Sequence, residues 1–497
     1  MINAAMVVGI WMATGVIPQP PSYVPEFRVV FAPNVAATFS GRIYVMTLKS
    51  APRAETPSEP NWFNPSPFFA VDVKNVKAGE PIIVGSNAIG HPGPLSAIEP
   101  GEYMVQAVMD FNRGERSFAA AEGNGYSRWK SAMLKAGQER IDLTIDQTVQ
   151  KRPALETSRL REVDIKSQLL SDFHGREVRL EATVALPASY SKDTSRKYPI
   201  IYEIPGFGGT HRAQPIYTQN TIRDGEEFLQ VLLNPECPLG HHVFADSANN
   251  GPWGRVLIEE LIPHIESTYR AIGKPSTRFV TGHSSGGWSS LWLQTAYPEF
   301  FGGVWSTAPD PVDFRDFQRI NLYAPNANMF VDEQGKPRPL ARRGETPVLY
   351  YKSFSDMEVV VGHGGQLGSF EAVFSPRTSG GAPRRLWDRK TGAVDPETAE
   401  AWKPYDIRLK LEREWPTIGP KLAGKLHVYM GGLDTFYLDG ATRLLKESLE
   451  KLGSDAKVEI FPDKTHFSLM DAELRSRINR EMADAYRTAV GKRRPTN

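Results

Sequence analysis

The stretch Arg278–Trp288 reads RFVTGHSSGGW, an apolar segment that runs into a glycine-rich turn with two adjacent serines. A serine hydroxyl becomes a useful nucleophile when a sharp turn exposes it beside a base and beside donors for an oxyanion. A strand-to-helix turn this tight leaves no room for side chains two residues before and after the nucleophile, which gives the pattern G-x-S-x-G. Gly282 and Gly286 flank Ser284 in this way. Ser285 instead has a histidine two residues before it, so we predict that Ser284 is the nucleophile.

An oxyanion formed at this turn, which we call the elbow, needs two N–H donors. One is predicted to be the backbone N–H of Ser285, at the start of the helix expected after the elbow. The other is expected in PGFGG at 205–209, which follows the apolar segment YPIIYEI, because glycines let the backbone approach a substrate closely. Phe207 is predicted to supply this N–H, with Gly208 as the alternative.

A base and an acid are expected beyond two later strands. KLHVYM is followed by GGLDTFYLDG, which places Asp434 just past a strand end, and KVEIF is followed by PDKTHFSL, which places His466 in the next loop. Asp434 can orient His466, which can accept the Ser284 proton and return it to the leaving group. The order nucleophile, acid, histidine is that of one large class of serine hydrolases. Asp439, deeper in a predicted helix, and Asp463, close to His466 in sequence, are the alternative acids.

The pattern of the chain predicts two folding units. Period-two segments from about residue 25 to 150 predict an all-β, sandwich-like accessory domain, which we expect to pack on the other unit or present substrate to it. From 160 to 497, predicted strands alternate with helices, as is typical of a mostly parallel sheet with helices on both faces. Residues 311–418 break the alternation and are interpreted as a lid-like insertion at the carboxyl edge of the sheet, where it would govern selectivity.

The N-terminal segment 1–24 is apolar and then rich in proline. Its apolar run from about Ala4 to Ile17 has the length of a signal-peptide core, yet no Lys or Arg precedes it. A secretion signal and an apolar segment packed on the protein therefore both remain open. We expect a secreted or periplasmic protein, with a cytoplasmic one as the alternative. No other window is apolar enough to suggest a membrane span.

Composition excludes several classes of partner. Lys and Arg number 58 against 57 Asp and Glu, so the chain lacks the basic field that favours nucleic-acid binding. The single cysteine, Cys237, excludes an internal disulfide and a cysteine-based zinc site. His241 and His242 are adjacent and cannot easily face one ion from a strand. We therefore expect no metal, no cofactor and no nucleic-acid partner, and the oligomeric state stays open.

At these motifs the chain resembles the esterase-D-like branch of the α/β-hydrolases, which includes feruloyl and acetylxylan esterases, S-formylglutathione hydrolase and enterochelin esterases. The resemblance covers roughly residues 160–497 and rests on PGFGG, FADSANNGPWG at 244–254, GHSSGGW, GLDTFYL and DKTHF. It implies an α/β-hydrolase fold and a serine esterase that acts on a small-molecule ester through an acyl-enzyme. Many relatives carry a bulkier residue at the position of Ser285.

Two other functions remain open. A serine peptidase of the prolyl-oligopeptidase type uses a similar elbow and chain order, although about 150 residues of β structure without a blade repeat is short for its propeller. The other alternative is a catalytically inactive binding protein on the same fold.

Substrate contacts are expected mainly from the insertion. Trp387 and Trp402 are suited to packing on an aromatic or sugar ring, and Trp253 is the further tryptophan expected to contact substrate. GHGG at 362–365 is interpreted as a flexible turn or a substrate-facing loop. Five arginines of the insertion could hold an anionic group, with a solvated surface loop as the alternative: Arg342, Arg343, Arg377, Arg384 and Arg385.

Overall fold

A computed structural model describes residues 24–112, 114–135, 140–212 and 221–492. The apolar run from Ala4 to Ile17 lies outside the described residues. The described chain contains two large sheets, one of nine strands and one of eight. Among the described residues, no helix is both long and apolar enough to cross a membrane.

The N-terminal domain, residues 24–148, is built on the nine-stranded sheet. Its strands pair in the order β4-β1-β9-β7-β6-β2-β3-β5, and β8 pairs with β6 beside β7. The sheet is mostly antiparallel, with β1 and β9 paired in parallel. The strands are β1 (Phe27–Phe31), β2 (Thr38–Leu48), β3 (Phe68–Lys77), β4 (Ile82–Val84), β5 (Ile89–His91), β6 (Gly101–Asp110), β7 (Gly125–Ser127), β8 (Lys130–Leu134) and β9 (Ile141–Thr148).

This sheet buries side chains on both of its faces. Because successive side chains of a strand point to opposite faces, β2 divides its apolar residues between two cores. Ile43 and Val45 lie in a core made by the N-terminal strands alone. Tyr44 and Met46 lie in the large core of the C-terminal domain. The N-terminal domain is therefore docked on the rest of the molecule through one face of its sheet.

The C-terminal domain, residues 160–492, is built on the eight-stranded sheet. The strand order is β10-β11-β15-β12-β20-β21-β24-β25. The six strands from β15 to β25 in that order run parallel, and β10 and β11 pair antiparallel at one edge. They are β10 (Leu160–Ser167), β11 (Val178–Ala185), β12 (Ile200–Ile204), β15 (Leu229–Leu233), β20 (Arg278–His283), β21 (Gly303–Thr307), β24 (Leu426–Gly431) and β25 (Lys457–Phe461).

Short two-stranded pairs and helices complete the domain. The short strands are β13 (Ile222–Arg223), β14 (Glu226–Glu227), β16 (Glu236–Cys237), β17 (Gly240–His241), β18 (Asp246–Ser247), β19 (Gly251–Pro252), β22 (Pro339–Arg343) and β23 (Thr346–Tyr350). The α-helices are α1 (Gln168–His174), α2 (Trp253–Val256), α3 (Ile262–Thr268), α4 (Ser285–Ala296), α5 (Tyr351–Val361), α6 (Gln366–Phe374), α7 (Pro396–Trp402), α8 (Ile407–Leu422), α9 (Asp439–Lys451) and α10 (Ala472–Ala489).

Helices cover both faces of the parallel sheet. On β20, Val280 belongs to the core shared with α3, α4 and α9, whereas Phe279 belongs to the core shared with α10. Val304 and Trp305 of β21 divide between the same two cores. The sheet is therefore the middle layer of three, as the alternation of strands and helices predicts.

The predicted insertion is a folded part of the C-terminal domain. The strands β22 and β23 form a hairpin within it, and the helices α5, α6 and α7 follow. Helix α8 begins inside the predicted range and continues to Leu422. Aromatic side chains give this region its own packing, since Trp402 contacts Phe314, Phe317 and Phe374.

Candidate active site

Ser284 is the single residue between β20 and α4. Its backbone has φ 60° and ψ −125°, a conformation that costs a residue with a side chain about 1–3 kcal/mol. Two neighbours hold it there: the Ser284 N–H donates to Thr307 O at 3.0 Å, and the Trp288 N–H donates to Ser284 O at 3.0 Å. The elbow is thus a strained turn kept in place by the sheet and by the helix that follows.

The glycines on either side of Ser284 stand where a side chain has no room. A Cβ atom at Gly282 would lie 2.2 Å from the carbonyl oxygen of Gly286. At Gly286 it would lie 1.9 Å from the carbonyl oxygen of Ile204, at the end of β12. Since carbon and oxygen atoms that are not bonded stay more than 3 Å apart, both positions require glycine, as the G-x-S-x-G pattern predicts.

The structure brings Asp434 and His466 together. Asp434 Oδ2 lies 2.7 Å from His466 Nδ1, and the two side chains are 0% and 3% exposed. The other carboxylate oxygen, Oδ1, accepts the N–H of Phe436 at 2.8 Å. Because the carboxylate is an acceptor, the imidazole donates its Nδ1 proton to it and keeps Nε2 as a proton acceptor.

The two alternative acids have other surroundings. Asp439 forms an ion pair with Arg342, with 2.9 Å between Oδ1 and Nη2. Asp463 is exposed. Arg342 also donates from Nε to the carbonyl oxygen of Asp434 at 2.8 Å, so this arginine supports the loop that carries Asp434.

Ser284 and His466 line a cavity of about 700 Å³. The elbow, the loop 205–209, the insertion and the N-terminal domain all contribute to its wall. Much of the wall is aromatic, from Trp62, Phe63, Phe207, Phe354, Phe370, Phe436 and Phe467. Such a lining suits a ligand with an apolar part.

The loop PGFGG at 205–209, which we call the oxyanion loop after its predicted role, lies against the elbow. A Cβ atom at Gly206 would be 3.2 Å from Ser284 Cβ, so glycine permits this approach. The loop is a turn closed by a hydrogen bond from Gly209 N–H to Gly206 O at 2.9 Å, with Gly208 at φ +80°. Phe207 thus stands in a tight turn beside the predicted nucleophile, on the wall of the same cavity.

The side chain of Ser285 points to a buried carboxylate that the sequence did not single out. Ser285 Oγ donates to Asp310 Oδ2 at 2.5 Å, and Gln366 Nε2 lies 3.4 Å from the same oxygen. Burial raises the pKa of Asp310 to about 6, and its two hydrogen bonds oppose that rise. Asp310 lies just after the end of the parallel strand β21, and this position in the sequence could have identified it as a candidate site residue.

His283, between Gly282 and Ser284, lies beside the imidazole of His466, with 4.6 Å between ring centroids. Burial lowers the pKa of His283 to about 3, and the neighbouring His466 adds to the effect. His283 is therefore neutral at physiological pH. A neutral neighbour does not oppose positive charge on His466 during a reaction.

Three tryptophans expected to contact substrate are core residues. Trp253 stacks on His242 with 3.6 Å between ring centroids, and Trp387 is 2% exposed beneath the guanidinium of Arg389. Trp402 is fully buried, and its indole N–H donates to Ser375 Oγ at 2.9 Å. None of the three lines the cavity. These large apolar rings instead fill the interior of the domain.

The arginines of the insertion also lie away from the cavity wall. Arg384 pairs with Asp395 and Glu397, each at 2.8 Å, and Arg377 donates to the carbonyl oxygen of Asn249 at 3.0 Å. Two more arginines, Arg343 and Arg385, are exposed. The arginine on the cavity wall is Arg475, at the start of α10.

GHGG at 362–365 packs between the two domains. His363 Nε2 lies 3.2 Å from Asp110 Oδ2 of the N-terminal domain. A Cβ atom at Gly362 would lie 2.5 Å from Arg42 Nη1, and one at Gly364 would lie 2.7 Å from the carbonyl oxygen of Arg116. The glycines therefore allow close contact with the N-terminal domain.

The N-terminal domain supplies a part of the site that the sequence did not predict. Trp62, in the loop between β2 and β3, lies on the cavity wall. Its ring contacts Phe354 at 4.9 Å and Phe207 at 5.6 Å between centroids. The sequence of this loop has no hydrophobic periodicity that would have marked it.

Within the described ranges, no cluster of three or more His, Cys, Asp or Glu side chains could hold a metal ion.

Residues 175–451, more than half of the chain, match the sequence model of the family described as Putative esterase. Solved structures similar to this chain include a ferulic acid esterase at 14% identity and TM-score 0.38, covering 67% of this chain and 99% of that one. The S-formylglutathione hydrolase of Agrobacterium tumefaciens has 14% identity and TM-score 0.39, with 67% and 96% covered. Dipeptidyl peptidase 4 of Porphyromonas gingivalis has 13% identity and TM-score 0.37, with 84% and 46% covered. The family match, together with the mostly antiparallel N-terminal sheet and the mostly parallel C-terminal sheet covered by helices, confirms the predicted fold class.

Proposed function

The chain belongs to the Putative esterase family, and from that premise we propose that it is a serine carboxylester hydrolase that works through an acyl-enzyme. One observation carries the proposal. His466, whose Nδ1 lies 2.7 Å from Oδ2 of buried Asp434, lines the same cavity as Ser284, which stands alone on a strained elbow. A structural serine would not need that strain, whereas a nucleophile gains exposure from it.

In the first half of the reaction, His466 Nε2 accepts the proton of Ser284 as Oγ attacks the ester carbonyl carbon. The carbonyl oxygen becomes an oxyanion, which accepts hydrogen bonds from the backbone N–H groups of Phe207 and Ser285. The bond to the alcohol oxygen then breaks, and His466 gives its proton to the departing alcohol. Asp434 stays ionised and stabilises the imidazolium between these two transfers.

In the second half, water attacks the acyl-enzyme. His466 accepts a proton from the water, and the resulting oxyanion uses the same two N–H donors. The bond from the acyl carbon to Ser284 Oγ breaks, and His466 returns the proton to Oγ. The products are a carboxylic acid and the free enzyme, so the cycle needs water and no other co-reactant.

The test compares an ester with an amide. We expect the protein to hydrolyse p-nitrophenyl butyrate with a rapid initial release of one p-nitrophenol per chain, because an acyl-enzyme accumulates when its hydrolysis is the slower step. A proline-containing p-nitroanilide should be turned over far more slowly. Preferential cleavage of the anilide would favour the peptidase. Absence of turnover for both substrates would favour the inactive binding protein.

A further inference from the structure

Arg116 reaches from the N-terminal domain to the oxyanion loop. It lies in the segment between β6 and β7, and its guanidinium carbon is 4.4 Å from the centroid of the Phe207 ring. A Cβ atom at Gly208 would lie 3.3 Å from Arg116 Nη2, so the arginine also borders the backbone of the loop. A residue of one domain thus covers the loop on which the other domain's predicted oxyanion donor stands.

The guanidinium of Arg116 is held in one orientation. Its Nη1 and Nη2 donate to the two carboxylate oxygens of Glu59 at 3.0 and 3.1 Å. On another edge, Nε forms an ion pair with Glu236 Oε1 at 2.9 Å. The side chains of Arg116 and Glu236 are 10% and 4% exposed. A planar group held by two hydrogen bonds to Glu59 and a close ion pair with Glu236, and shielded from water, presents a fixed face to Phe207.

The oxyanion loop depends on such outside support. Three of its five residues are glycines, so Phe207 carries the one large side chain that can anchor it. At its start, the Pro205 carbonyl lies 3.0 Å from His241 Nε2, while His241 Nδ1 accepts the N–H of Val243. Past that point, the Phe207 ring meets two residues of the N-terminal domain, Arg116 and Trp62.

We propose that Arg116 is a positioning residue, which fixes the ring of Phe207 and thereby the N–H that receives the oxyanion. The N-terminal domain is then a working part of the hydrolytic site. The inference rests on the proposed esterase function of the same cavity. Removal of one oxyanion donor typically costs about 100- to 1000-fold in kcat, so a displaced donor should cost a part of that, about 10- to 100-fold.

The test is Arg116→Met with p-nitrophenyl acetate, an ester too small to need the aromatic wall. We expect kcat to fall by about 10- to 100-fold while KM stays within about threefold, because the lost interaction acts in the transition state. Arg116→Lys should recover part of the loss, since a lysine keeps a positive charge near Phe207 and one carboxylate.

Arg42→Met is the matched control. Arg42 also crosses from the N-terminal domain, pairs with a carboxylate of Asp72 at 2.7 Å, and donates to the carbonyl oxygen of Val360 at 2.9 Å. It reaches helix α5 and not the oxyanion loop. Its removal should weaken the contact between domains and leave kcat within about twofold of the wild type.

Two results would overturn the inference: an unchanged kcat in folded Arg116→Met, or an equal loss of kcat in Arg42→Met. If Arg116→Met does not fold, Glu59→Gln replaces it, because it removes a charge that orients the guanidinium. There we expect a loss of about three- to tenfold in kcat, and an unchanged kcat would overturn the inference. A wild-type chain that turns over no ester would contradict the proposed function itself, whereas wild-type turnover with unaffected variants contradicts this inference alone.

Discussion

The elbow and the loop that carries Trp62 meet at one cavity, but they are built in different ways. At the elbow, five consecutive residues decide the geometry, because Cβ atoms at Gly282 or Gly286 would overlap with neighbouring backbone. Trp62 reaches the same cavity only because a face of the N-terminal sheet is buried in the core of the other domain. The candidate catalytic residues thus stand in short motifs next to strands of one sheet, whereas the shape of the cavity also depends on packing between two domains.

We expect the largest effect when Ser284 of the elbow is replaced. Ser284→Ala should lower kcat for p-nitrophenyl butyrate by about a million-fold, with little change in melting temperature. Ser285→Ala is the matched control. It removes a hydrogen-bond donor to buried Asp310, so we expect about 1–3 kcal/mol of lost stability. Most of kcat should be kept, because the proposed catalytic contribution of residue 285 is its backbone N–H. A dead Ser285→Ala and an active Ser284→Ala would reverse the assignment.

The next prediction concerns the glycine that permits the elbow. Gly286→Ala should abolish activity or the folded state, because its Cβ would lie 1.9 Å from the carbonyl oxygen of Ile204. Circular dichroism and ester turnover measure the two outcomes. Gly101→Ala serves as control, since its Cβ would meet only Tyr103 at 3.8 Å. Wild-type turnover in Gly286→Ala would show that the local constraint is weaker than the geometry indicates.

Two tryptophans, Trp62 and Trp387, test how packing between distant parts of the chain shapes the cavity, and the expected effects are smaller. Trp62→Ala should reduce the preference for a bulky ester over an acetyl ester by about tenfold in kcat/KM, about 1.4 kcal/mol of lost binding. Trp387→Ala should leave that preference unchanged and lower the free energy of unfolding by about 3–5 kcal/mol, because it empties a core position. If Trp387→Ala, and not Trp62→Ala, changes the preference for the bulky ester, the part of the insertion that carries Trp387 contacts the substrate and Trp62 does not.

These tryptophans mark the limit of what the sequence predicts. The elbow, the oxyanion loop, Asp434 and His466 were found because each follows a predicted strand, and parallel strands end at one edge of a sheet. Their catalytic roles remain predictions. Trp253 and Trp387 were misplaced because an aromatic side chain packs equally well in a core or on a cavity wall, and the sequence pattern does not distinguish the two. Trp62 and Arg116 were missed because they come to the site by docking of a second domain.

A further prediction concerns the pH dependence of stability at Asp310, which contacts Ser285 of the elbow and lies on the wall of the same cavity. Its folded pKa of about 6 lies above the ordinary value of 3.8, so the folded state binds this proton more tightly than the unfolded state does. The stability from that proton is complete below about pH 4 and is lost as the pH rises through 6, by at most about 3 kcal/mol.

Asp310→Asn removes this titration and keeps an oxygen that can accept from Ser285. The variant should therefore gain stability relative to the wild type between pH 4 and pH 7, as measured by urea unfolding at both values. Other titrating groups are common to both chains and cancel in the difference. A difference that is constant between pH 4 and pH 7, or that shifts in favour of the wild type as the pH rises, would show that Asp310 is not protonated in the way its burial indicates.

Covalent labelling can show directly which serine is the nucleophile. A fluorophosphonate should react once per chain, abolish ester turnover, and appear by peptide mass spectrometry on Ser284, while Ser285→Ala should still be labelled and Ser284→Ala should not. The assignment of Ser284 as the nucleophile would be contradicted if the label appeared on Ser285 or on a serine outside the elbow. It would also be contradicted by full ester turnover in a chain that carries the label on Ser284.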